Sequence, residues 1–281
     1  MNWFFLTVVS AVTYAVAEII GKYLSDEKSE PVFIGIIAAG FTTAVSLLFA
    51  VWESPVIPAN TWAITGLVAS GALVAVGVMT YYEGLKHSDV SEFSLFSRSR
   101  TLIIVIGGLM FFRERFTPLQ AVGGLLVLCG VFFLSWEGKS VHFGKGAKYA
   151  LATAVLFGLG ALIDKAVIPY YTAMMYTFLI YLFTVIFMIP LVVWRLRKGA
   201  QWPKRPTVGL LSVVGTLYGM SAYCVYAAYL QSGPASLVTL VSQLEIPITV
   251  LWGIYLMKER KKIFSKLISM ALLILGIVLL K

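Results

Sequence analysis

The chain has 281 residues, of which 59% are apolar and only 12% are charged. Its mean hydropathy of +0.89 fits a protein that lies almost entirely within a bilayer. A net charge of +9 would suggest nucleic acid as a partner of a soluble protein, but here the basic residues lie in short loops between apolar runs. We therefore predict a multi-pass integral membrane protein that binds no nucleic acid and contacts the lipid bilayer along its whole length.

The sequence contains ten apolar runs, each suited to one membrane crossing of about 20 residues. Segments rich in charge, proline or glycine separate the runs, as expected for loops. The first run lacks a basic start and a convincing cleavage site, so we interpret it as a retained helix and not as a signal peptide. In chain order the runs cover residues 3–23, 32–52, 61–85, 90–112, 117–136, 146–165, 171–195, 207–232, 235–257 and 261–280.

The two halves of the chain resemble each other when Glu114 is aligned with Glu259, an offset of 145 residues. Because each half has an odd number of crossings, the second half must lie inverted relative to the first. We predict an all-α integral membrane fold of ten transmembrane helices in two inverted five-helix repeats, residues 1–138 and 146–281. Such repeats place their site between the halves, near the middle of the membrane.

The first helix carries a stripe of polar side chains that predicts a cavity. Thr7, Ser10, Tyr14, Glu18 and Lys22 follow one another in steps of three and four, so they share one face. Lys22 lies near the helix end, where its long side chain can reach the interface. Glu18 lies deeper, and we predict that it is the proton-coupling group. If Lys22 instead points into the cavity, Glu18 is only its ion-pair partner.

The fourth helix, within SEFSLFSRSRTLIIVIGGLM at 91–110, contains Arg98 and Arg100. A central arginine in a membrane helix costs from ~3 to ~15 kcal/mol unless it meets water, a counter-ion or a ligand. The repeat aligns Arg100 with Glu245, so we predict that these two residues pair across the two halves. Arg98 points in another direction, since two residues lie about 200° apart around a helix. We expect Arg98 to meet the solute, although a structural ion pair that locks two helices would also explain these charges.

The ninth helix supplies Ser242, Gln243 and Glu245, which we predict to line the solute site. Tyrosines can serve either a cavity or the interfacial belt. We assign Tyr218 and Tyr223 to the cavity, because they lie deep in the eighth run. Tyr229 lies nearer the end of that run, so we assign it to the belt.

Two further charged positions fall near helix ends. Asp164 and Lys165 are adjacent in the sixth helix and must point in different directions, so we do not expect them to neutralise each other. They mark either an interfacial helix end or a cavity. Glu114 and Glu259 lie close to loops, and we expect them to hold those loops and not to touch the solute. Thr117 and Gln120 have the spacing of a capping box at the start of the fifth helix.

The sequence lacks His-Glu-x-x-His, Gly-x-Ser-x-Gly and Walker motifs, and its two histidines lie in loops. We therefore predict no enzyme activity, no cofactor and no metal site. Cys129 and Cys224 lie in apolar runs and are interpreted as packing residues. Without a nucleotide-binding loop, any transport would have to be driven by a gradient. A membrane protein that transports nothing is the other possibility.

The two halves end in similar segments, FRERFTPLQAVGGLLVLCGVFFL at 112–134 and MKERKKIFSKLISMALLILGIVLL at 257–280. These segments resemble the repeats of EamA-type proteins in the drug/metabolite transporter superfamily. Pro247 fits the same pattern, whereas Leu102 at the matching place of the first half departs from it. The resemblance implies a ten-helix secondary transporter for a small polar organic solute, such as an amino acid or an organic anion. We expect it to act as an exporter or exchanger in a prokaryotic inner or plasma membrane.

A second resemblance concerns the run AEIIGKYL in the first helix, which looks like part of the small multidrug resistance branch of the same superfamily. There a glutamate matching Glu18 binds protons and substrate in turn. This similarity implies the alternative function, proton-coupled export of cationic compounds. Gly123, Gly124 and Gly130 permit close helix contacts within the bundle or between subunits, so the protein is either a monomer or a homodimer.

Overall fold

The computed structural model describes residues 2–25, 30–51, 58–87, 93, 96–135, 144–255 and 263–281. Its regular elements are helices throughout this part of the chain. They are α1 Trp3–Ser25, α2 Pro31–Ala50, α3 Thr61–His87, α4 Arg100–Phe111, α5 Pro118–Ser135, α6 Lys145–Val167, α7 Ala173–Arg197, α8 Arg205–Leu230, α9 Ala235–Ser242, α10 Glu245–Tyr255 and α11 Ile263–Leu279, with a 3₁₀ turn, Ile168–Tyr170, after α6.

Seven segments of the described chain are long and apolar enough to cross a membrane. They are Trp3–Ile20, Val32–Ala50, Thr61–Tyr81, Lys145–Tyr170, Ala173–Arg197, Thr207–Leu230 and Ala235–Trp252. The helices α4, α5 and α11 are apolar but shorter. The prediction of an all-helical chain with several apolar helices is therefore confirmed, and seven segments of the described residues are long and apolar enough to be candidate membrane crossings.

Local sequence signals explain where several helices begin. Thr117 and Gln120 form the predicted capping box before α5: Gln120 Oε1 accepts from the Thr117 N–H at 3.1 Å, and Thr117 Oγ1 accepts from the Gln120 N–H at 3.2 Å. Thr172 caps α7 by accepting from the Met175 N–H at 3.3 Å. Pro31 occupies the first turn of α2, where its missing N–H costs nothing.

The ninth apolar run was expected to be one helix, but α9 ends at Ser242 and α10 begins at Glu245. Pro247 supplies a physical reason, because it has no N–H to donate to the Gln243 carbonyl one turn earlier. That carbonyl accepts instead from the Ile246 N–H at 3.0 Å. The chain therefore makes a tight turn at residues 243–244 in the middle of an apolar segment.

The helices pack in reciprocal pairs. Helix α1 packs mainly on α8, and α6 packs mainly on α3. Under the offset of 145 residues, α1 corresponds to α6 and α3 to α8, so each pair is the counterpart of the other. Helix α2 likewise packs on its own counterpart, α7, and α5 packs on α11.

The α5–α11 crossing depends on glycine. A Cβ atom added at Gly123 would lie 2.7 Å from the Gly276 carbonyl oxygen, and one added at Gly276 would lie 2.6 Å from that of Gly123. Such distances are too short for any side chain, so the two backbones can approach this closely only with glycine at both positions. Gly123 thus serves a contact within the bundle.

Candidate functional site

Two chain interruptions lie at matching places in the two halves. Helix α4 begins at Arg100 after a turn at residues 98–99, and α10 begins at Glu245 after a turn at residues 243–244. The hydrogen bonds of the turns also match: the Thr101 N–H donates to the Arg98 carbonyl at 3.0 Å, as the Ile246 N–H does to the Gln243 carbonyl. Arg100 and Glu245 are therefore each the first residue of a helix that starts inside the bundle.

Arg100 and Glu245 form the predicted pair. Arg100 Nη2 lies 3.9 Å from Glu245 Oε1, and the exposed fractions of the two side chains are 32% and 8%. This distance is that of an ion pair without a direct hydrogen bond. The N-terminus of α10 favours the negative charge of Glu245, whereas the N-terminus of α4 disfavours the positive charge of Arg100. Arg100 therefore depends on nearby negative or polar groups.

Those groups come from α1 and from the turn before α4. The charges of Glu18 and Arg98 act on Glu245 together with that of Arg100. Tyr14 lies beside Arg100 and interacts with its guanidinium. We call Glu18, Arg98, Arg100 and Glu245 the charged cluster. Its two positive and two negative side chains balance each other, which makes their common burial tolerable.

A cavity of about 220 Å³ opens next to the charged cluster. Five predicted site residues line it: Tyr14, Arg100, Tyr218, Ser242 and Glu245. The rings of Tyr14 and Tyr218 lie 5.2 Å apart, so α1 and α8 meet at this wall. The cavity is smaller than a typical drug-sized pocket, so it suits a small solute.

Other predicted residues lie near the cavity without lining it. Glu18 and Arg98 are half-buried members of the charged cluster but are not among the residues that border the cavity. Arg100, not Arg98, is thus the arginine that faces it. Gln243 is buried, and its side-chain amide donates to Thr101 Oγ1 at 3.2 Å and to the Thr239 carbonyl at 3.3 Å. Gln243 therefore ties the two interruptions together and is not among the residues that line the cavity.

Tyr223 and Tyr229 differ from the predictions made for them. Tyr223 packs against the hydrophobic core and is absent from the cavity lining. Tyr229 is buried and lines the cavity, so it does not belong to an interfacial belt. The rotation of α8 explains both results, because Tyr218, Ala222, Val225 and Tyr229 follow one another in steps of three and four on the cavity face.

The sequence left two alternatives for Asp164, an interfacial helix end or a cavity, and the structure places it at the cavity. It is 6% exposed and lines the cavity. Its Oδ1 accepts hydrogen bonds from Ser70 Oγ and, at 2.7 Å, from the Tyr176 hydroxyl, and its Oδ2 accepts from the Tyr226 hydroxyl at 3.1 Å. Helices α3, α7 and α8 thus converge on one carboxylate. A lone aspartate within an apolar run was the only signal of this site in the sequence.

Lys165 points away from Asp164, as predicted from their adjacency. Its Nζ donates to the Gly233 carbonyl at 2.7 Å and to the Tyr229 carbonyl at 3.4 Å, and it lies 4.9 Å from the centre of the Tyr229 ring. Lys165 therefore binds the loop between α8 and α9.

Glu114 holds the start of α9, which confirms its predicted role with loops. Its carboxylate accepts from the Ala235 N–H at 2.5 Å, from the Ser236 N–H at 3.0 Å and from the Ser236 hydroxyl. Two of the otherwise unpaired N–H groups at the helix start are thereby satisfied. Glu259, its predicted counterpart, lies outside the described residues.

A second group of charges lies at the ends of α2, α3 and α7, away from the cavity lining. Arg195 Nη1 lies 3.7 Å from Glu30 Oε2, and Arg195 Nη2 lies 3.4 Å from Glu83 Oε2. All three side chains are partly exposed. These pairs join three helix ends and bring no charge into the cavity.

A bundle of apolar helices that surrounds a cavity with buried charges has the organisation of a membrane transport protein. The sequence matches the EamA-like transporter family over residues 1–136 and 144–281, and the chain belongs to this family. The match covers nearly the whole chain and confirms the predicted family.

Comparisons with individual proteins agree with this assignment. The chain is 32% identical over 126 residues to a protein of Pseudomonas aeruginosa named uncharacterized transporter PA0485. That match spans 43% of this chain and 40% of the relative. A solved crystal structure superposes with a TM-score of 0.79, covering 99% of this chain and 95% of the other, at 15% identity. This second likeness shows the fold alone.

Proposed function

We propose that the protein is a secondary transporter that moves a small polar organic solute through the cavity, as an exporter or exchanger. Amino acids and organic anions are the favoured class. The observation that carries the proposal is the Arg100–Glu245 pair, placed at two matching chain interruptions and bordering the cavity. Buried charges of this kind are costly in a membrane and mark solute or ion pathways. Membership of a transporter family supports the same conclusion.

We further propose that the ten helices form two inverted five-helix halves, residues 1–138 and 146–281. The reciprocal packing of α1 on α8 and of α6 on α3 supports this arrangement. So does the matching position of the two interruptions. In this architecture the halves rock about the site between them and expose it to each side in turn.

Within the cavity, we assign the anchoring of a carboxylate or other anionic group of the solute to Arg100. At 3.9 Å from Glu245, its guanidinium keeps N–H donors for a second acceptor. Tyr14, Tyr218 and Ser242 offer hydroxyl groups around the same space. Arg98 adds positive charge to the charged cluster, and Glu18 is the proposed proton-coupling group of that cluster.

The test combines binding with transport. The purified protein is screened by thermal shift against amino acids and small carboxylates, since a ligand at about 100 times its dissociation constant adds about 2.7 kcal/mol of stability. Compounds that bind are then measured for uptake into vesicles that contain the protein. Arg100→Gln is expected to lose most binding. Arg197→Gln, which changes an exposed arginine at the end of α7, is the matched control and should bind normally.

One observation favours the alternative of proton-coupled export of cationic compounds. Among the charged residues that line the cavity, Arg100 is basic and Glu245 and Asp164 are acidic, so the lining carries an excess of negative charge when both acids are ionised. A thermal shift with organic ammonium compounds and none with carboxylates would favour this second function. Vesicles that accumulate neither class would instead indicate a membrane protein that does not transport.

We also propose that the protein resides in the inner or plasma membrane of a prokaryotic cell. The organism of the relative named above supports this location.

A further inference from the structure

Two acids line the cavity, Asp164 and Glu245, and within the described residues only Glu245 has a cation beside it. Within the described part of the chain, the Asp164 carboxylate makes no ion pair, and its neighbour Lys165 is bound to the Gly233 carbonyl. The charge of an ionised Asp164 is therefore opposed only by dipoles. Glu245, by contrast, faces the guanidiniums of Arg98 and Arg100.

Among the described residues, the groups that face Asp164 from α3, α7 and α8 are uncharged hydroxyls. Ser70 comes from α3, Tyr176 and Tyr181 come from α7, and Tyr226 and Tyr229 come from α8. Ser70, Tyr176 and Tyr226 are hydrogen-bonded to the carboxylate. Burial disfavours an ionised carboxylate, whereas three donated hydrogen bonds favour it. The two influences oppose each other, so neither protonation state is fixed by the surroundings.

The hydrogen bonds of this site can be satisfied in both protonation states. Ser70 Oγ has two acceptors within reach, Asp164 Oδ1 and the Gly160 carbonyl oxygen at 3.4 Å. When Asp164 is ionised, Ser70 donates to it. When Asp164 carries a proton, its O–H can donate to Ser70 Oγ, and Ser70 then donates to the Gly160 carbonyl. No buried polar atom has to lose its partner, which removes the usual cost of such a change.

We propose that Asp164 is a second proton-binding site, on the cavity and in addition to the coupling group Glu18, and that its proton is required for gradient-driven transport, an inference that rests on the proposed function. The proton comes from water in the cavity that Asp164 borders, and it returns there on release. Proton binding leaves the lining charges of Arg100 and Glu245 balanced, and proton loss makes the lining negative. The solute therefore meets a different electrostatic field in each state, which couples the two ligands.

The proton itself is the probe of the first experiment. Infrared difference spectra of the purified protein in lipid are recorded between about pH 4 and about pH 9, the range spanned by exposed and buried carboxyls. The wild type should show the C=O band of a protonated carboxyl that appears on acidification. Asp164→Asn should lose this band, and Ser70→Ala and Tyr226→Phe should shift its frequency because each removes a hydrogen bond. Glu83→Gln, which changes a partly exposed carboxyl away from the cavity lining, is the control and should keep the band unchanged.

Three outcomes would overturn the proposal. The first is a C=O band of full wild-type intensity in Asp164→Asn, since the other 12 of the 13 acidic side chains also contribute to the spectrum, the second is a band lost only in Glu18→Gln, and the third is an Asp164 carboxylate that stays ionised across the whole range. If Asp164→Asn does not fold, the band shifts of Ser70→Ala and Tyr226→Phe decide the question alone.

The transport step is tested separately with arginine, aspartate and a simple alkylammonium ion in vesicles under a pH gradient. Accumulation driven by the gradient should be lost in Asp164→Asn, while exchange without a gradient should persist. Full gradient-driven accumulation by Asp164→Asn would overturn the coupling role. If wild-type vesicles move no solute at all, the proposed function fails, and the infrared result still decides whether Asp164 binds the proton.

Discussion

Replacing the members of the Arg100–Glu245 pair singly and together tests whether the charged cluster is energetically coupled. The changes are Arg100→Gln, Glu245→Gln and the double variant, each of which keeps polar side chains of similar size. Removing one partner of a buried pair leaves the other charge uncompensated, at a cost of roughly 3 to 5 kcal/mol. Each single variant should therefore unfold at a clearly lower denaturant concentration than the wild type.

The magnitude of the coupling follows from the structure. Two unit charges 3.9 Å apart attract by about 4 kcal/mol at an effective dielectric constant of about 20. The exposure of Arg100, 32%, reduces this attraction, and Arg98 and Glu18 share in compensating Glu245. We expect a coupling free energy of about 2 kcal/mol, so the double variant should be more stable than the sum of the two single losses.

The assay is reversible unfolding in detergent micelles, followed by tryptophan fluorescence, with the free energy of unfolding obtained for all four proteins. The control is the same cycle on Arg195 and Glu83, whose atoms lie closer, at 3.4 Å, but whose carboxylate is 33% exposed, whereas the Glu245 side chain of the central pair is only 8% exposed. That pair should couple by less than about 1 kcal/mol. Additive losses at Arg100 and Glu245, or an equal coupling at the two pairs, would refute the argument that burial strengthens the central pair.

Three further predictions concern the fold. Gly276→Ala should destabilise the protein by roughly 1 to 3 kcal/mol, because the new Cβ would lie 2.6 Å from the Gly123 carbonyl oxygen. The control Gly40→Ala has open space around the new Cβ and should leave the stability unchanged. Equal thermal unfolding of the two variants would show that the α5–α11 contact is looser than described. Glu114→Ala should lower the free energy of unfolding by roughly 2 kcal/mol, because it removes the acceptor of three hydrogen bonds at the start of α9, whereas the control Glu83→Ala should lower it little. Unchanged hydrogen exchange at the Ala235 and Ser236 amides would contradict this prediction. Sixteen of the 22 lysines and arginines lie on the side of the predicted bundle opposite to the two chain termini, and the more basic side of a membrane protein faces the cytoplasm. A C-terminal reporter that works only in the cytoplasm should therefore be silent. An active reporter would show that the charge bias misassigns the orientation.

The positions of the helices could be predicted closely from the sequence. The runs at 171–195 and 207–232 match α7, Ala173–Arg197, and α8, Arg205–Leu230, within two residues at each end. The reason is physical: backbone polar groups in hydrocarbon must bond within their own helix, so a long apolar run has no other structure available. The pairing of Arg100 with Glu245 was also predictable, because the internal repeat placed two opposite charges at equal depth.

The surroundings of Asp164 and the rotation of α8 could not be predicted in this way. Ser70 and Tyr226, which bind Asp164, lie 94 and 62 residues away in the sequence. Only the packing of α3 and α8 against α6 brings them together. A membrane helix that is apolar on most sides carries little information about which face turns inward, which is why Tyr229 lines the cavity and Tyr223 packs against the core, contrary to both predictions.

Asp164 and Glu245 border the same cavity, yet removing their charges should have different consequences. Glu245→Gln leaves the Arg100 guanidinium without its partner, so we expect a loss of roughly 3 kcal/mol in the free energy of unfolding. Asp164→Asn leaves no cation unpaired, and its amide oxygen can still accept from Tyr176 or Tyr226, so we expect a loss of roughly 1 kcal/mol. Both losses can be measured by unfolding under the same conditions, with Glu83→Gln as the exposed control. A loss for Asp164→Asn as large as that for Glu245→Gln would mean that Asp164 acts as a fixed negative charge, and a fixed charge cannot carry a proton through a transport cycle.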